Sequence, residues 1–112
     1  MAGQQQRFER VYPVPAGVLF DAFRDAAHGG KYRKVVVDEF AKTVVFRTKS
    51  FYRVPFHCQG QVTEDPGGAR IVLTAGLVNG GALSLASGTG RASEISAQLF
   101  ADISRRCAQA VA

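Results

Sequence analysis

In the stretch FHCQGQVT, Phe56, Cys58, Gly60 and Val62 alternate with His57, Gln59, Gln61 and Thr63. A period of two residues belongs to a strand with one buried face and one wet face. A sheet built from such strands needs a second layer over its apolar side. Two segments have the helical spacing to supply it. Val18, Leu19, Ala22, Phe23 and Ala26 recur behind Pro15, with Asp21, Arg24 and Asp25 on the opposite face. Near the C-terminus, Ile95, Leu99, Ile103, Cys107 and Val111 form an i+4 row flanked by Ala92 and Phe100.

The other β-type segments fill in the sheet. Arg7 to Tyr12 reads as a first strand behind a polar, flexible tail at 1–6, and Pro13 and Pro15 end it. Pro15 suits the first turn of a helix. His28-Gly29-Gly30 stops that helix, with glycine expected in the left-handed C-cap conformation. Valine-rich Tyr32 to Asp38 turns at Glu39–Lys42 into Thr43 to Thr48, where Val44, Phe46 and Thr48 alternate with Thr43, Val45 and Arg47. The EDPGG turn, Glu64 to Gly68, leads to a strand at Ile71 to Val78. Asn79-Gly80 is a strong hairpin signal, so Ala82 to Ala86 is expected to return as a strand and Ser87 to Gly90 to turn into the last helix. The class is α+β: one antiparallel sheet of about six strands in β-α-β5-α order, with a long C-terminal helix. At 112 residues the chain has room for a single domain, 7–112.

Chemical signatures are sparse. The glycines at 79–94 do not form a phosphate loop: Gly90 is followed by Arg91 and Ala92, and five positions before Gly90 stands Leu85. The dinucleotide fingerprint also fails, because Gly88 and Gly90 fit but Ser93 holds the last place. No HxxxH, HxE or CxxC spacing suggests a metal, and no cofactor is expected. His28 reads as a helix-end residue and His57 as solvent-facing. The carboxylates fall on polar helix faces or turns and read as solvated. Cys58 and Cys107, 49 residues apart, read as reduced and buried; a disulfide between them would need an oxidising compartment. No residue is nominated as catalytic. The N-terminal residues lack a signal peptide's apolar stretch, and Ile71 to Gly90 is too rich in glycine and hydroxyls for a membrane span, so a cytoplasmic protein is expected.

The net charge of +5 is concentrated. Residues 31–53 carry Lys31, Arg33, Lys34, Lys42, Arg47, Lys49 and Arg53 against Asp38 and Glu39. Local positive potential marks a candidate partner surface. Lys31, Arg33, Lys34, Arg47, Lys49 and Arg53, interleaved with Tyr32, Phe51 and Tyr52, are the candidate contacts for a polyanion. No RNA-binding strand signature or GxxG is present, so nucleic acid is not the expected partner.

The element order, PVPAGVLFDAF after the first strand and AKTVVFRTKS as a strand together resemble a reduced START-like (SRPBCC, Bet v 1-like, helix-grip) domain over Phe8 to Val111. The resemblance implies a curved sheet gripping the C-terminal helix, with an apolar or amphipathic small molecule between them. The ligand-facing positions it implies are Phe46, Phe56 and Cys58 on strands and Ile95, Leu99 and Ile103 on the helix, with Phe51 and Tyr52 as a rim. Family members are longer. At roughly 24 cal/mol per Å³, an empty apolar pocket of about 300 Å³ would cost on the order of 7 kcal/mol. That is most of a small domain's stability of about 5–15 kcal/mol. A short chain therefore closes its sheet on the helix or fills the gap with a ligand, water or another subunit. A non-catalytic ligand-binding module is the first expectation. A protein-interaction or homo-oligomerisation domain using sheet edges and the Phe51-Tyr52 loop is the second, and polyanion binding through 31–53 the third.

Overall fold

A computed structural model describes the backbone at 6–48, 56–77 and 82–110, and the side chains at 6–48, 56–76 and 92–110. Asn79-Gly80, Phe51, Tyr52, Lys49 and Arg53 lie outside the described residues. The elements run β1 (Gln6–Tyr12), α1 (Ala16–Gly29), β2 (Tyr32–Asp38), β3 (Thr43–Thr48), β4 (Phe56–Asp65), β5 (Gly68–Leu77) and α2 (Ala82–Ala110). The five strands form one antiparallel sheet in the order β1-β5-β4-β3-β2. The first strand pairs with the last, and β2 is the opposite edge. Both helices cover the same face. α1 lies over β2 to β5, while α2 packs along α1, β5 and β1.

The alternation in β4 is borne out: Phe56, Cys58, Gly60 and Val62 are buried beneath the helices and the intervening residues face outward. Val44, Phe46 and Thr48 on β3 and Ala69, Ile71, Leu73 and Ala75 on β5 continue the buried face. Between them and the helices sits one core, to which α1 brings Leu19, Phe20, Phe23 and Ala26, and α2 brings Leu99, Phe100 and Ile103. Gly60 makes room for the Phe23 ring, since a Cβ there would stand 2.4 Å from Phe23 Cζ. Tyr12 fastens β1 to α2. Its hydroxyl donates to the Phe100 carbonyl at 3.3 Å and accepts from the Ser104 hydroxyl at 3.2 Å.

Three local expectations are corrected. Ala82 to Ala86 is helix, so the sheet has five strands, and Ser87 to Gly90 continues α2. Ala82, Leu83, Leu85 and Ala86 satisfy helical spacing as well as alternation, and alanine and leucine are strong helix formers. The first β-branched residue after Gly81 is Thr89, so nothing before it favours a strand over a helix. The end of α1 is also different. Gly30 is extended (φ −86°, ψ −175°) and donates its N–H to the Ala26 carbonyl at 3.0 Å. Glycine is needed there for space, because a Cβ would lie 2.3 Å from the Tyr32 ring. Among the described residues, the glycine with positive φ is Gly68, at +133° after the Pro66–Gly67 turn. A side chain at Gly68 would also meet the Tyr12 carbonyl oxygen at 2.2 Å.

Candidate functional site

The fold brings the six described ligand-facing candidates to one side of the sheet. Phe46, Cys58, Leu99 and Ile103 are sealed, with 0 to 1% of their surface accessible. Phe56 is also buried, and Ile95 is half-buried against the same core. The sealed positions form a floor. Ala75 and Ala92 are sealed too, and of the six described candidates only Ile95 is half-buried. Phe8, half-buried on edge strand β1, is a further inner-face aromatic that sequence reading left out. Its i, i+2, i+4 relation to Arg10 and Tyr12 was the available signal.

Tyr32 holds the other flank of the floor. Its ring lies 4.7 Å, centroid to centroid, from Phe46, in the space that Gly30 leaves free. A bulge makes this possible. Arg33 pairs with Arg47 and Val36 with Val45, so the two residues Lys34 and Val35 face one on β3, and Lys34 takes φ 53°. The bulge lets Tyr32 and Val35, three apart, both pack against the core. Burial raises the Tyr32 phenol above its ordinary value, and Cys58 and the Asp102 carboxylate add to the effect.

The nucleophiles present are quiet. Burial pushes the Cys58 thiol up to about 12 and also raises Cys107; both cysteines are free and buried. A thiol so raised is not a nucleophile near neutral pH. Asp102 departs from its expected solvated state: it is half-buried and takes the guanidinium groups of both Arg105 and Arg106. Asp65 is held below the ordinary carboxylate range, first by the Gly67 N–H at 3.0 Å and then by Arg70 at 2.9 Å. Among the described residues no three metal-ligating side chains converge. No described helix is long and apolar enough to cross a membrane.

A separate groove of about 330 Å³ runs along the outer seam of the two helices, lined by Val18, Asp21, Ala22, Asp25, Arg106, Gln109 and Ala110. It shares no residue with the ligand-facing candidates. Its charges are paired with residues outside the lining: Asp21 and Asp25 with Arg24, and Arg106 with Asp102.

The polyanion candidates Lys31, Arg33 and Lys34 are exposed on and beside β2, and Arg47 is half-buried on β3. Arg33 stands directly opposite Arg47, and Arg47 directly opposite His57. The register thus sets three basic side chains in a row on the outer face of the sheet.

Comparison with known proteins gives the same architecture. No protein-family model matches the chain, and no curated protein matches it. Among solved structures, it is similar to the di-domain ARO/CYC BexL from the BE-7585A biosynthetic pathway, with a TM-score of 0.67 at 12% identity. That likeness covers 91% of this chain and 45% of BexL, so the chain spans less than half of it. It is also similar to TTHA0849 from Thermus thermophilus, with a TM-score of 0.57 at 14% identity, over 96% of this chain and 99% of that one. The shared feature is the fold. That fold is an antiparallel sheet covered on one face by helices, with a long C-terminal helix.

Proposed function

We propose that this is a small non-catalytic domain that binds an apolar or amphipathic molecule between the sheet and α2. The observation that carries the reading is the gradient along the inner face. Positions around Phe46, Cys58, Leu99 and Ile103 are sealed, whereas Ile95 on α2 and Phe8 on β1 are half-buried and keep accessible apolar surface. Accessible apolar surface at the mouth of a packed floor is what an apolar ligand would cover. The fold shared with the ARO/CYC protein supports small-molecule binding. Phe56 and Ile95 would contact the ligand first, and Phe46, Cys58, Leu99 and Ile103 would lie beneath it. Phe51 and Tyr52 remain the proposed rim.

Native mass spectrometry of freshly purified protein tests this reading, because it weighs ligand and subunits together. An adduct of roughly a few hundred daltons, lost on denaturation and absent from Ile95→Trp, is the expected result. A folded protein that stays bare, and whose Tm no added fatty acid or aromatic polycycle raises, would refute it. A bare species of twice the chain mass would favour the homodimer instead.

A further inference from the structure

The β2–β3 hairpin combines two features that folding alone does not explain. The first is unpaired positive charge. Arg7, Arg24, Arg70, Arg105 and Arg106 all make ion pairs. Arg10 lies over the Phe100 ring and Lys42 over the Phe20 ring. Lys31, Arg33, Lys34 and Arg47 have no ion pair among the described residues, and the undescribed stretches contain no aspartate or glutamate to supply one. The register nevertheless places Arg33 opposite Arg47, a like-charge arrangement that destabilises a sheet. Lys34 adds a further cation at the bulge, in the left-handed conformation that a non-glycine residue avoids.

The second feature is exposed apolar surface on the same hairpin. Phe40, in the β2–β3 turn, is 100% exposed, and Val36 is 62% exposed. Val36 pairs with Val45, so two valines lie on the outer face between the arginine pair and the aromatic tip. The acidic residues at this tip are otherwise engaged. Asp38 accepts the N–H groups of Phe40 and Ala41 at 3.1 and 3.0 Å, and Glu39 lies 3.8 Å from Arg24.

We propose that this hairpin docks the protein on an anionic lipid surface. Phe40 enters the headgroup region with Val36 behind it, and Lys31, Arg33, Lys34 and Arg47 meet the lipid phosphates and carboxylates. Cations without ion-pair partners on the same hairpin as a protruding aromatic fit a bilayer interface, where apolar insertion and attraction to acidic headgroups add. A single-stranded nucleic acid would use the cations but leave Val36 and Val45 without a role. The surface is separate from the sheet–α2 interior, so the proposal does not depend on a ligand there.

The test is co-sedimentation with vesicles of phosphatidylcholine containing about 30% phosphatidylserine. Phe40→Ser, Arg33→Glu and Arg47→Glu change exposed or outward-facing side chains, and circular dichroism checks that each variant folds. Binding to the mixed vesicles, absent with pure phosphatidylcholine and reversed by about 0.5 M salt through the shortened Debye length, is the expected result. Each charge reversal should weaken binding by about fivefold or more, and Phe40→Ser by a similar factor. Failure of the wild type to bind would overturn the proposal, as would binding indifferent to Phe40→Ser. Tighter binding to a single-stranded oligonucleotide than to vesicles, lost in the arginine variants alone, would reassign the surface to nucleic acid. A concentration-dependent dimer broken by Phe40→Ser would reassign it to self-association.

Discussion

Ile103 and Ile95 lie about two turns apart on one stripe of α2, yet only Ile103 is fully buried. Near Ile103 the helix is fixed on both flanks, by Tyr12 through Phe100 and Ser104 and by its packing against α1. The same periodic pattern thus produces a fully buried residue at one end of the stripe and a half-buried one at the other, and the described anchoring lies at the buried end. Periodicity fixes which face of a helix turns inward. It does not say whether that face meets protein or a space that another molecule can fill.

The sharpest way to break the comparison is truncation. Ile103→Ala should cost about 2–5 kcal/mol in urea unfolding, as a cavity in a closed core does, while Ile95→Ala should cost about 1 kcal/mol or less. Equal losses would erase the distinction between the two ends. Gly60→Ala should destabilise by about 1–3 kcal/mol, because the added methyl meets the Phe23 ring at the sealed floor. Tyr12→Phe, which removes the bonds to Phe100 and Ser104, should cost about 1 kcal/mol.

A pH dependence should appear in base. Burial pushes the Cys58 thiol from its ordinary 9.0 up to about 12, so its contribution is complete below pH 9 and lost as pH rises toward 12. Unfolding midpoints measured from pH 8 to 11 should fall less steeply in Cys58→Ala than in the wild type. Tyr32, raised in the same direction, keeps part of the slope in that variant.

Much of the architecture was legible because β3 and β4 alternate cleanly and the turn at Glu39–Lys42 falls where expected. The missing sixth strand shows where local reading fails. Ala82 to Ala86 fits either period, and the strong Asn79-Gly80 signal outweighed the helix preference of alanine and leucine. The site candidates were legible as a face, since alternation on β4 and the i+4 row on α2 name the inward residues. Their depth was not legible, because it depends on contacts between distant strands and helices. Tyr32 is the clearest case. Its inward turn follows from a bulge at Lys34 that no local sequence rule marks, and the Arg33–Arg47–His57 row exists only through strand register. Phe40 is visible in the sequence as an aromatic in a turn, but its full exposure is a property of the folded hairpin.

The most direct test of the central claim is a ¹⁵N-resolved NMR titration with the neutral apolar probe N-phenyl-1-naphthylamine. Saturable shifts centred on Phe8, Phe56, Ala75, Ala92 and Ile95, with little change in the outer α1–α2 groove, are expected. Shifts confined to Val18, Ala22 and Ala110, or none at all, would contradict binding between the sheet and α2.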